Sequence, residues 1–187
     1  MRERSIPYMK KRTAVIGALV SLMPLGQPFV IGTATVLTSA GVMLTVPGRA
    51  QAESSVFYYN RGLGKYYAGD NNGAIADYSK AIEINPMNAD AYMNRGVAKR
   101  KLGDNYGAIS DYNKAIEINP RDAGLYKNLA NAKLDLKDNY GAIADYSKAI
   151  EINPRYADAY VGRGNSKNAL EEYYGAIADY SKAIEIN

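Results

Sequence analysis

Between Ala108 and Ile116 the apolar side chains Ala108, Tyr112, Ala115 and Ile116 fall at i, i+4, i+7 and i+8, the spacing of one face of an α-helix. The same four positions recur 34 residues earlier as Ala74, Tyr78, Ala81 and Ile82. They recur again as Ala142, Tyr146, Ala149 and Ile150, and as Ala176, Tyr180, Ala183 and Ile184. Pro86, Pro120 and Pro154 follow these helices and stop them, because proline lacks the amide hydrogen that would continue the ladder. A second, shorter apolar stripe precedes each one, with Tyr92 and Gly96 one turn apart on its inner face. Asp70, Asp104 and Asp138 stand where the later helix of each pair needs an N-cap, and Ser54, Asn88 and Asp122 where the earlier one does. The pattern predicts helical hairpins in four units, at residues 55–88, 89–122, 123–156 and 157–187.

A lone hairpin cannot cover its own tyrosines and isoleucines, so units of this kind must stack. Small residues such as Gly96 and Ala108 let the two helices of a hairpin approach closely. The order Tyr58, Gly62, Ala74, Tyr78, Ala81, Pro86, met again in the next two units with Ala130 as the small residue of unit three, resembles the tetratricopeptide repeat, and the resemblance covers residues 55–187. It implies an all-α fold, an α-solenoid of stacked antiparallel hairpins. Two departures recur. Arg61, Arg95 and Arg163 stand where the family usually has Leu, which unit three keeps as Leu129. Lys65, Lys99, Lys133 and Lys167 stand where it usually has Tyr.

The chain has 187 residues, 47% of them hydrophobic, and no Cys or His. That composition removes disulfides, thiol nucleophiles, histidine bases and the common zinc sites. No enzyme motif, metal or cofactor is expected. The sequence pI of about 9 comes from the N-terminus, since six of the 23 basic residues precede residue 53. The remainder is almost neutral and carries no basic stripe, which argues against a nucleic-acid partner.

Lys10-Lys11-Arg12, an uncharged run from Thr13 to Gly48, and Ala50-Gln51-Ala52 have the layout of a secretory signal. The run exceeds the usual apolar core and is broken by Pro24 and Pro28. Phe29–Val46 nearly reaches the length of a membrane span. Residues 1–52 are therefore expected to be a cleaved leader or, failing cleavage, an N-terminal membrane anchor. Either places the repeats outside the cytoplasm, periplasmic or secreted.

About twelve of the 17 tyrosines sit at repeated helical positions, where filling the core is the simpler reading. Asp77, Lys80 and Glu83, with their copies, place opposite charges three apart on the outer face. Gly73, Gly107, Gly141 and Gly175 open the second helices at a cost in stability of up to about 1 kcal/mol each relative to Ala. Constant Asp77, Asp111, Asp145 and Asp179 beside the core tyrosines suggest partly buried links to the recurring arginines; a ligand-facing row of arginines is the alternative.

The resemblance further implies a protein-interaction module whose first helices line a concave groove for a peptide segment of a partner. The positions carried over include Tyr59, Leu63, Tyr66 and Tyr67 in unit one and Met93, Val97, Arg100 and Lys101 in unit two. Lys127 and Asn131 in unit three and Asn165 in unit four complete the set. A carboxylate clamp of the kind some members use is not expected, because Gly162 stands where an Asn would be needed. The final helix repeats the internal sequence "GAIADYSKAIEIN" without polar substitutions. Its apolar face predicts either self-association through the C-terminal end, as a structural scaffold, or continuation of the array.

Overall fold

The structure, a computed structural model, describes residues 35–37, 43–45 and 47–186. The cationic start of the expected leader lies outside the described residues. Within its later part, β1 (Thr35–Leu37) pairs antiparallel with β2 (Met43–Thr45), with Thr35 opposite Thr45. Among the described residues no helix is long and apolar enough to cross a membrane.

Everything after β2 is helical: α1 (Pro47–Tyr67), α2 (Asn71–Ile84), α3 (Ala89–Lys101), α4 (Asn105–Ile118), α5 (Ala123–Asp135), α6 (Asn139–Ile152), α7 (Ala157–Ala169) and α8 (Tyr173–Ile186). Each odd helix packs on the even one that follows, and each even helix packs on the next odd one. Successive odd helices also touch one another, whereas successive even helices do not. The odd helices therefore form the inner, concave layer of the array.

The caps follow the sequence reading with one correction. The carboxylates of Asp70, Asp104 and Asp138 accept from the amides of Gly73, Gly107 and Gly141, and Asn88 and Asp122 cap α3 and α5. Ser54 is not a cap, because α1 begins at Pro47 and runs through it. The capping geometry also revises the role of Gly73, Gly107 and Gly141. A Cβ at Gly107 would sit only 2.0 Å from Asp104 Oδ2, so a side chain there would displace the cap. Gly175 has no such neighbour and meets only the Lys167 side chain.

Each hairpin turns through a residue with positive φ. Units one and two use Gly69 and Gly103, both at φ 83°. Units three and four place Lys137 and Glu171 there, at φ 65° and 63°, a left-handed conformation that costs a residue with a Cβ about 1–2 kcal/mol.

The core is the repeated set. Ala74, Tyr78, Ala81, Ala108, Tyr112, Ala115, Ala142, Tyr146 and Ala149 are all essentially inaccessible. Recurrence and burial part company at Tyr106, Tyr140 and Tyr174, which repeat every 34 residues yet are largely exposed. They stand two residues before the buried alanine, about 200° away around the helix, and so face outward.

Candidate protein-binding groove

The recurring arginines and lysines prove to belong to one device. Arg95 Nε and Nη2 donate to Asp111 at 2.9 and 2.7 Å, and Lys99 Nζ lies 2.8 Å from the same carboxylate. Arg61 and Lys65 clamp Asp77, and Arg163 and Lys167 clamp Asp179, in the same way. The three carboxylates are buried, so this half of each outer-face charge pattern turns inward. The outer face keeps the pairs Lys80–Glu83, Lys114–Glu117, Lys148–Glu151 and Lys182–Glu185. The arginines are thus held as links within each hairpin rather than presented as a ligand-facing row. The lysine's part in the clamp was not read from the sequence. Its signal was there, in two departures from the family pattern beside an invariant Asp.

Unit three breaks the clamp, because Leu129 replaces the arginine and only Lys133 reaches Asp145, at 2.6 Å. Electrostatics follow. Hydrogen bonds from Arg61 outweigh the burial of Asp77, and with help from Lys65 hold its carboxyl at about 2. Burial alone would raise Asp179, but Arg163 and Lys167 together bring it below its ordinary value. Burial wins at Asp145, whose carboxyl is raised despite Lys133.

The sign of the pH effect differs accordingly. The clamp on Asp77 contributes stability that is present above the unfolded value of about 3.9 and lost as pH falls toward about 2. Asp145 does the opposite, since protonation relieves its burial. A carboxyl-carbon NMR titration should show Asp145 protonating before Asp77 on acidification. Coincident titration of the two would contradict the clamp geometry.

On the concave side the expected groove residues divide into two groups. In unit one, Tyr59, Leu63 and Tyr66 are half-buried and Tyr67 is exposed. The rings of Tyr66 and Tyr67 meet edge to face at 5.7 Å, and Tyr59 leans on Tyr78 with its hydroxyl accepting from Asn94. Together they make an aromatic patch that no later unit repeats.

The second group is engaged within the array. Met93 and Val97 pack against the cluster of Ala108, Tyr112, Leu129 and Ala132. Arg100 donates to Asp135 at 2.7 Å, joining α3 to α5 and neutralising its charge. Lys127 lies over the Tyr156 ring. Asn131 and Asn165 accept from the hydroxyls of Tyr146 and Tyr180, at 2.5 and 2.8 Å. Lys101 remains exposed at the end of α3.

The asparagines explain a difference between tyrosines that the repeat alone does not predict. Val97 and Leu63 occupy their positions in units two and one, and there the hydroxyls of Tyr112 and Tyr78 are buried without a partner among the described residues. Burial pushes the phenols of Tyr78, Tyr112 and Tyr146 up, the last to about 12. Gly162, whose presence argued against a carboxylate clamp, has a local purpose. A Cβ there would come within 2.3 Å of the Tyr146 ring. An open depression lined by Asn119, Arg121, Asp122, Gly124, Asn153 and Tyr156 lies at the inter-repeat turns, apart from the aromatic patch.

Comparisons with known proteins agree with this geometry. Family profiles described as TPR repeat match residues 62–103 and 130–167, and profiles described as tetratricopeptide repeat match 89–122 and 157–187. A search of curated proteins finds no match. Among solved structures, a MamA protein is 30% identical with a TM-score of 0.67, covering 72% of this chain and 73% of its own. The TPR domain of Arabidopsis OM64 is 27% identical with a TM-score of 0.62, covering 64% of this chain and 98% of its own. The first TPR of Spaghetti (RPAP3), solved with the HSP90 peptide SRMEEVD, shares the fold at 24% identity and a TM-score of 0.63, covering 64% and 95%. With repeat profiles matched over most of residues 62–187, alternating helix contacts and a 34-residue period, this chain belongs to the tetratricopeptide repeat family.

Proposed function

We propose that the chain, a protein-interaction module, binds an extended segment of a partner protein on its concave side, and that the aromatic patch of unit one anchors it. The carrying observation is the division among groove residues. Tyr59, Leu63, Tyr66 and Tyr67 present apolar surface, while Arg100, Asn131 and Asn165 already have partners inside the array. The preferred segment is therefore apolar or aromatic, with Lys101 as the exposed cation at its margin. Replacing Tyr66 and Tyr67 together by Ser should weaken capture of the native partner at least tenfold, since aromatic anchors carry much of the binding energy in such interfaces. Helicity by circular dichroism should be unchanged. Unaltered binding by this variant would place the contact elsewhere.

Export is the setting proposed for this activity. Cleavage after Ala52 would trim α1 to a helix in register with the thirteen residues of α3, α5 and α7. Amino-terminal sequencing of the protein from its host should begin at Glu53; an uncut chain in the membrane fraction would indicate an anchor instead.

A second reading, self-association through α8, rests on one observation. Ile184 and Ile177 are 77% and 60% exposed, although Ile82, Ile116 and Ile150, the equivalents of Ile184, are buried or partly buried under the next unit.

A further inference from the structure

We infer that the outward face of α8 docks onto the outward face of α1 of a second copy of this chain, head to tail, by the contact that joins consecutive repeats. The inference rests on the self-association reading and names its counterpart surface. α1 carries the features of a helix that receives a preceding repeat. Ala91 and Ala159 are buried in clusters with the even helix before them, Leu125 is buried at the same position, and Phe57 is their equivalent, yet it is 58% exposed. Leu125 shows that the position accepts a large side chain. Two turns on, Ala98, Ala132 and Ser166 are fully buried, while their equivalent Gly64 is exposed, with nothing within 4 Å of where a Cβ would stand. Phe57 and Gly64 thus pair a large apolar residue with a small one, the combination that Leu125 and Ala132 make on α5.

A polar link gives the contact its register. Arg95 Nη1 donates to Ser79 on the preceding even helix at 3.0 Å, and Arg163 Nη1 donates to Ser147 at 3.0 Å. Where the serine becomes Asn113, the following arginine becomes Leu129, so the two positions change together. One donor and one acceptor of this kind remain. The Arg61 side chain is 46% exposed, against 18% and 19% for Arg95 and Arg163. Ser181, the equivalent of Ser79 and Ser147, is exposed on α8 and its hydroxyl donates only to its own helix, at Ile177 O. They make the Ser–Arg combination found inside the array, not the Asn–Leu one. The next copy therefore places Arg61 against Ser181 and Phe57 against Ile184. Such a contact is heterologous, so it adds copies in one direction rather than closing a symmetric pair.

The test uses the full-length chain in sedimentation velocity. Wild type should grow beyond dimer as concentration rises. Phe57→Glu and Ile184→Glu alter exposed positions, so both should keep their helicity by circular dichroism, and each alone should be monomeric. Mixed together they should form a 1:1 dimer that grows no further, because one supplies the intact α1 face and the other the intact α8 face. Ser181→Ala should weaken wild-type association about tenfold, the loss expected for a hydrogen bond from a charged donor. A monomeric wild type at high concentration would overturn both self-association and this geometry, including the case in which an N-terminal segment covers α1 in the same chain. Self-association that persists in Phe57→Glu would overturn the head-to-tail contact alone, since it would mean that α8 faces meet each other. The Tyr66/Tyr67 variant should associate as wild type does, which separates this surface from the groove.

Discussion

Tyr112→Ala should lower the free energy of unfolding by about 3–5 kcal/mol, the range for truncating a buried aromatic ring. The ring is fully buried on α4 and belongs to a cluster with Ala108, Leu129 and Ala132, bordered by Met93, Val97, Ile109 and Ile116. It also fills the space above Gly96, where a Cβ would come within 2.7 Å of it. Removing it therefore opens a cavity between α3 and α4 and against α5 at once, and neither glycine nor alanine neighbours can move in to fill it. Lys114→Ala, two residues on, removes only one half of an exposed pair with Glu117 and should change stability by less than about 0.5 kcal/mol. The ring and its hydroxyl can be separated. Because Tyr112 Oη is buried without a partner among the described residues, Tyr112→Phe should be neutral or slightly stabilising. Tyr146→Phe should instead cost about 1 kcal/mol, since it breaks the bond to Asn131 and leaves that side chain short of a donor. Chemical denaturation of the four variants decides the matter. Equal losses for Tyr112→Ala and Lys114→Ala would mean that the faces of α4 have been assigned the wrong way round.

The even helices were legible because their stripe obeys two rules at once. Ala108, Tyr112, Ala115 and Ile116 satisfy the helical period, and the 34-residue period shows that a neighbour always lies on that stripe. Tyr106 satisfies only the second rule and is exposed, so recurrence reports the family while helical phase reports burial. The groove was less legible for a different reason. Whether Asn131 faces a ligand or a tyrosine depends on where the Tyr146 ring lies. That in turn depends on Gly162 in the next repeat, which leaves room for the ring. Such a dependence crosses repeats and cannot be read along one helix. A trace of it was present in the sequence, where Leu63 and Val97 become Asn131 and Asn165 at the position beside the tyrosine hydroxyl. The Arg100–Asp135 pair, 35 residues apart and on different helices, is the same kind of case. The Arg–Asp link, in contrast, was readable, because arginine and aspartate recur together and the one unit without arginine has a leucine in its place.

Asp111→Ala should cost about 3 kcal/mol, the lower part of the range for breaking a buried ion pair by removing one partner. The carboxylate is 3% exposed and serves two cations, Arg95 and Lys99, whose side chains are only 18% and 21% exposed. Its loss leaves both charges close together and partly desolvated, and that penalty exceeds the hydrogen bonds themselves. Asp145→Ala should cost much less, about 1 kcal/mol, because burial already opposes its ionised form and a single lysine is left behind. The clamp as a whole need not be a net source of stability, since buried ion clusters replaced by apolar groups of similar volume are often neutral or better. The triple variant Arg95→Leu, Lys99→Tyr, Asp111→Ala installs the leucine and tyrosine usual in the family at the two cationic positions and removes the charge between them. It should recover most of the stability lost in Asp111→Ala, less the bond from Arg95 to Ser79. A triple variant no more stable than Asp111→Ala would show that the cost lies in packing around the aspartate rather than in the two stranded cations.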